Sequence, residues 1–445
     1  MRFALLPLLA SLALGCGKNP PPAAAERPTH DGPEPLAAPV DAAPPPPAAP
    51  TRPPPDANVL LLSIDSLRAD MPWAGYPRPI APQLTALEAQ AVSYTNAYAL
   101  SSYTSQSVGG LLAGRLPSEL PRDGYFFGTY PTRVLMFPER LQAAGIRTLA
   151  VHAHGYFRPR RAGLDQGFDQ WALLPNLRWD ATTDVEITGE RMLEAARRVL
   201  SDPRTTGQRF FAWFHFMDPH DQYRAHPGIP PYGPTLRDRY DGEVTYVDRQ
   251  VGALVSWVRE QPWGARTVVI VTADHGEGFG EHGEYRHGFE VWQELVRVPW
   301  IILAPGAPAR RIAANRSHLD LAPTVLDLFG LPPEPTFTGR SLVPELYGAA
   351  AEARDVLVDL ARTSDNDRRR ALIHDHYKVT AYGDDHRFEA WDLTADPGER
   401  TSLARTDRPT FQGLVARYRA AQAAITEVHP VGCRNLHGAP PGRGW

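Results

Sequence analysis

An α/β fold built on a mainly parallel central sheet follows from three features of this sequence. Apolar runs of strand length, at 59–64 and 267–273, lack the polar alternation of half-exposed strands, as chain buried on both faces of a sheet must. Each run stops at an aspartate, Asp65 and Asp274, where the rim of an open α/β sheet gathers ligands. Helical patterns separate these runs from further apolar ones, the alternation that marks α/β architecture.

With 445 residues, 43% hydrophobic and 22% charged, the chain is long enough for one large α/β domain and a smaller one. The formal net charge is -4 and no basic tract is interleaved with aromatics, which leaves nucleic acid out of the expected partners. Only two cysteines are present, Cys16 and Cys433, far apart and in different compositional regions, so no disulfide framework supports the fold.

The chain opens with Arg2 and an apolar run at 3–14, too short to span a bilayer and of the length of an export signal. Ala13-Leu14-Gly15-Cys16 is similar to a bacterial lipoprotein processing site, which would make Cys16 a lipidated residue and anchor the protein in a cell envelope, facing the periplasm or the exterior. Cleavage after a small residue to release a soluble exported protein is the alternative. Residues 17–57 are rich in proline and alanine and lack large apolar side chains, so they read as an extended spacer.

The folded domain is expected over 58–350. After the first strand and Asp65, residues 81–99 show a helical pattern with Pro82 near its first turn. Residues 101–119 place hydroxyls and glycines ahead of a helix end, and 145–155 read as a buried strand running into a histidine-containing loop. Helices are expected at 185–200 and 240–260. Between them, 209–223 form an aromatic strand in which His215 reads as a core histidine. His220, after Pro219 in the following loop, is the better site candidate.

The run at 267–273 then delivers Asp274-His275-Gly276. A carboxylate beside an imidazole suits zinc or manganese better than calcium, so Asp274 and His275 are candidate metal ligands. A sixth apolar run and a helix closed by Gly330 follow. Residues 351–430 show short alternating segments around Gly383-Asp384-Asp385 and a last helix near 411–426, expected as a small α+β subdomain, with 431–445 as a tail.

NVLLLSIDSLRAD, LLAGRLPSE, HFMDPHDQY, TADHGEGFGEHG, HGFEVWQELVRVPWIILAPG and LAPTVLDLFGLP, in this order, closely resemble the sulfatase family of the alkaline phosphatase superfamily. EAWDLTADPGERTSLA resembles that family's C-terminal subdomain. The resemblance implies an alkaline-phosphatase-like sandwich and a metal-dependent ester hydrolase. It implies Asp65, Asp274 and His275 as ligands of one divalent metal ion and His220 as a contact to the substrate's anionic group. His287 would be a further anion-contacting or second-metal histidine.

Departures from the family pattern qualify that picture. Thr104 stands at the position of the Cys or Ser that becomes formylglycine, and it is followed by Ser105, Gln106, Ser107 and Val108, without the usual proline and arginine. Ser66 replaces the second acidic ligand of the calcium-binding members. A formylglycine hydrate releases sulfate by C–O cleavage, whereas a threonine ester must be attacked at sulfur or phosphorus, so threonine favours phosphoryl chemistry.

The resulting expectation is an exported hydrolase of sulfate or phosphate esters, with Thr104 as nucleophile and metal contact and zinc or manganese favoured over calcium. Its substrate would be a small anionic ester, such as a sulfated or phosphorylated glycan or a lipid headgroup. An inactive binding lipoprotein and a phosphoryl-headgroup transferase of the cell envelope are the alternatives.

Overall fold

The computed structural model describes residues 51–125, 127–178, 186–363 and 366–428. Cys16, the spacer up to residue 50, Val185 at the start of one expected helix, and the tail with Cys433 lie outside the described residues. Residues 51–57 already join the fold, since Arg52 pairs with Asp327 and Ala57 is buried.

The strands, in chain order, are β1 Asn58–Ile64, β2 Val92–Tyr98, β3 Arg147–His152, β4 Gln170–Leu173, β5 Phe210–Phe216 and β6 Thr267–Ala273. A short pair follows, β7 Gly278–Phe279 and β8 Tyr285–Arg286, then β9 Arg297–Leu303, β10 Arg310–Ile312 and β11 Arg316–Ser317. The last four are β12 Val356–Leu360, β13 Arg369–His374, β14 Tyr377–Tyr382 and β15 Arg387–Asp392.

The large sheet has the order β10-β2-β9-β6-β1-β5-β3-β4, with β11 also on β2. β1 lies between β6 and β5 and is parallel to both, whereas β9 runs against β6 and β2. Alternation sends β1 side chains to two cores: Val59 and Leu61 to one face, Leu60, Leu62 and Ile64 to the other. With an apolar layer on each face, β1, β5 and β6 carry no exposed residue, which accounts for the unbroken apolar runs in the sequence.

The expected helix over 81–99 ends early. It spans Pro82–Glu88, with the Asp248 carboxylate accepting from the amides of Gln83 and Leu84 at its N-terminus, and Val92–Tyr98 is β2. Pairing with β9 decides the matter: Tyr94 is registered opposite Trp300, and their rings lie 5.6 Å apart. The helix expected at 240–260 starts earlier, at Leu236, because Thr235 and Asp238 form a capping box. Gly189–Leu200 and Arg408–Gln422 are the helices nearest the other two expectations.

β12-β13-β14-β15 form an antiparallel sheet covered by Leu414 and Tyr418 of the last helix, the α+β subdomain expected at the C-terminal end. It bears directly on the helix Thr104–Ala113. Gln106, in that helix, donates to the Ala361 carbonyl and accepts from the Ala361 amide at 2.9 Å.

Candidate metal centre and active site

β1 and β6 end side by side, Ile64 opposite Ala273, so Asp65 and Asp274 leave the sheet as neighbours. Both are fully buried or nearly so, as is His275. His275 Nε2 lies 3.3 Å from Asp274 Oδ2, 3.6 Å from Asp65 Oδ1 and 3.0 Å from Thr104 Oγ1. Four groups from three distant stretches of sequence converge here because two parallel strands and one helix start meet at the rim.

The tautomer of His275 follows from its other nitrogen. Nδ1 lies 2.9 Å from the Gly276 carbonyl, which only accepts, so Nδ1 carries the proton and Nε2 offers a lone pair to the centre. Burial, and next the neighbouring His287, lower its pKa to about 3. Gly276 has no alternative, since a Cβ there would sit 2.0 Å from the Glu294 carbonyl oxygen.

The two carboxylates are driven apart. Burial raises both, but the neighbouring His220 and the hydrogen bond from His215 hold Asp65 well below the usual range. Burial first, then the Asp65 charge, push Asp274 well above it. Asp274 Oδ1 accepts from the amides of Ser66 and His275, yet its buried Oδ2 has no hydrogen-bond donor among the described residues. A buried, anion-rich pocket with an acceptor lacking any donor and an imidazole lone pair pointing in fits a divalent cation. Asp65, Asp274, His275 and Thr104 are the residues that would hold it, and one nitrogen among oxygens suits zinc or manganese.

Thr104 is the first residue of the helix Thr104–Ala113, so its side chain stands at the positive end of the helix. Ser107, one turn on, donates to the Asp274 carbonyl at 2.6 Å and fastens the helix to the metal strand. Ser66 contributes support rather than a ligand: its hydroxyl donates to Asp65 Oδ1 at 2.9 Å.

His220 and His287 complete the group, with rings 5.0 Å apart, and the His287 ring is 4.2 Å from that of His275. His220 Nδ1 donates to the Asp221 carbonyl at 3.1 Å. Every expected site residue within the described chain therefore gathers in one place.

Two functional groups escaped the sequence reading. Glu277, fully buried, accepts from His287 Nδ1 at 3.1 Å and from the Tyr223 hydroxyl at 2.8 Å. Burial would raise its pKa, but the His287 charge and hydrogen bond outweigh that and lower it, so it faces His287 as an anion. His215 is buried as expected of a core residue, yet its Nε2 lies 3.2 Å from Asp65 Oδ2.

The profile of the family described as Sulfatase matches residues 57–331. The chain belongs to the sulfatase family. A second profile, described as N-sulphoglucosamine sulphohydrolase, C-terminal, matches residues 280–422. Among curated relatives, the Delta 4,5-hexuronate-2-O-sulfatase of Bacteroides thetaiotaomicron is 29% identical over 182 residues, 39% of this chain and 37% of the relative. The choline-sulfatase of Rhizobium meliloti is 31% identical over 193 residues, 42% of this chain and 37% of the relative. The chain thus spans little more than a third of either relative's length. The crystal structure of the phosphonate monoester hydrolase of Agrobacterium radiobacter superposes with a TM-score of 0.69 at 18% identity, covering 86% of this chain and 97% of that one. This sulfatase-family chain accordingly shares the alkaline-phosphatase-like fold: a central, mostly parallel sheet flanked by helices, with a C-terminal antiparallel sheet. Among the described residues no helix is long and apolar enough to cross a membrane.

Proposed function

We propose that this protein is a metal-dependent hydrolase of sulfuric or phosphoric esters in which Thr104 is the nucleophile, with phosphoester cleavage the better match to a threonine. The observation that carries this reading is the position of Thr104 Oγ1 at a helix start, 3.0 Å from His275 Nε2 and inside the group made by Asp65, Asp274 and His275. A divalent ion bound there supplies charge that polarises the ester and lowers the pKa of a nearby hydroxyl.

The chain's own residues then do the following. The rings of His220 and His287, beside the helix start, receive the anionic oxygens of the substrate. Thr104 Oγ gives its proton to solvent water and bonds to the phosphorus or sulfur, while the bond to the alcohol oxygen breaks. His287, held by Glu277 and Tyr223, is placed to give that oxygen a proton. Water then attacks the same phosphorus or sulfur and returns Thr104 to its hydroxyl form. The relatives' names, a hexuronate 2-O-sulfatase and a phosphonate monoester hydrolase, support a small anionic ester as substrate, a phosphorylated or sulfated glycan or a lipid headgroup. The signal-like residues 2–17 support export and attachment to a cell envelope through Cys16.

Turnover of paired aryl phosphate monoester, phosphate diester and sulfate ester substrates, with zinc, manganese or calcium supplied, tests the proposal. Phosphoester cleavage that needs zinc or manganese and disappears in Thr104→Ala is the expected result. Sulfate preference would overturn the phosphoryl assignment, and undiminished turnover in Thr104→Ala would overturn the nucleophile.

A further inference from the structure

Behind Asp65 lies a chain of hydrogen bonds that none of the chemistry above uses. Ser63 on β1 is in register with His215 on β5, and Trp213 stands two residues before His215, so the three side chains share one face of the sheet. All three are buried. An indole N–H only donates, and Trp213 Nε1 lies 2.7 Å from Ser63 Oγ. The serine oxygen accepts from Trp213 and donates its own hydrogen to His215 Nδ1, 2.7 Å away, because the Asp65 carboxylate beside the ring's other nitrogen only accepts and takes the ring N–H. That leaves the ring proton on Nε2, 3.2 Å from Asp65 Oδ2. The other carboxylate oxygen, Oδ1, is the one beside Ser66 Oγ at 2.9 Å and His275 Nε2 at 3.6 Å.

We propose that Trp213, Ser63 and His215 form a positioning relay that grips Asp65 by Oδ2 and so aims Oδ1 at the centre shared with Asp274 and His275. The inference rests on the metal reading above and adds residues to it. Left alone, a carboxylate turns freely between two broad orientations, and a cation binding to it must meet the cost of freezing that rotation. A ring anchored at both nitrogens removes the freedom in advance, as hydrogen-bonded outer partners do for other metal ligands.

The test uses the full chain, stripped of metal and titrated with zinc or manganese against a chromophoric chelator, with the melting temperature of the metal-free state read in parallel. His215→Leu is expected to weaken zinc binding about 10–100-fold, Ser63→Ala less, and Trp213→Phe least. His215→Gln, whose amide nitrogen reaches the place of Nε2, is expected to recover most of the affinity while melting as low as His215→Leu. That split between affinity and stability is not expected of a residue that merely fills space. Wild-type affinity in a folded His215→Leu, or His215→Gln binding no better than His215→Leu, overturns the relay. Should His215→Leu fail to fold, unchanged affinity in Ser63→Ala overturns it. A wild-type chain that binds neither ion overturns the metal reading itself, a result distinct from wild-type binding that His215→Leu leaves unaltered.

Discussion

Among the described residues, two fully buried clusters each contain two carboxylates and one histidine, and only one of the two has the makings of a metal centre. In the first, Asp65, Asp274 and His275 leave Asp274 Oδ2 without a donor and turn the lone pair of His275 inward. In the second, Asp218, His226 and Glu243, all four carboxylate oxygens have one. Asp218 accepts from the Thr188 amide and hydroxyl, and Glu243 accepts from the Arg224 amide and from His226 Nε2 at 2.5 Å. Burial, and then the Glu243 charge, raise Asp218 to about 7, so a proton answers the excess charge there. Composition does not separate the two clusters; the supply of internal donors does.

The sharpest way to break this comparison is to remove one carboxylate from each cluster and count bound metal. Asp274→Ala is expected to lose retained zinc or manganese altogether after dialysis, while Glu243→Gln keeps the wild-type stoichiometry. Metal lost from both variants would erase the distinction between the clusters.

Thr104→Ala separates holding the ion from using it. Turnover should fall by about 10³-fold or more, with Thr104→Ser retaining a measurable fraction. Bound metal in both should change little, because three stronger ligands remain.

A smaller effect is expected at the carboxylate that the first cluster uses for its acid. Glu277→Gln removes the anion facing His287, and kcat should drop by about 10–100-fold at unchanged metal content. An equal loss of metal would assign Glu277 to the centre instead.

The smallest effect concerns stability and belongs to the second cluster. Folding raises the Asp218 pKa from 3.8 to about 7, so the folded state holds the proton more tightly than the unfolded one. Its contribution is full below pH 4 and is lost as pH rises to 7, by at most about 1.4 kcal/mol per pH unit. Thermal melts of wild type against Asp218→Asn across that window should show the slope reduced in the variant, and metal content alike in the two proteins.

Much of this was legible in the residues. β1 and β6 announce themselves because both faces are covered, and an aspartate ending such a strand has nowhere to go but the rim. His275 and His220 lie in loops directly after strands, where sequence position and spatial position nearly coincide. His215 was harder, since a histidine in an aromatic strand has the pattern of any core residue, and only the register of β1 on β5 reveals its hold on Asp65. Glu277 and Tyr223 are 54 residues apart and meet through loop paths that no periodicity encodes. The helical rhythm of Leu84, Leu87 and Ala91 runs up to β2 and hides it, because its pairing with the antiparallel β9 is a tertiary choice.

The place of Thr104 at the head of its helix also bears on how the protein comes to be ready for work. A nucleophile that is a standard side chain is in place as soon as the helix forms and the second sheet closes on Gln106. On the mechanism proposed above, Thr104 needs no chemical conversion before it acts. Any host that can fold the chain and supply the ion would then make it fully competent, and the competent fraction of a preparation would be set by folding and loading alone.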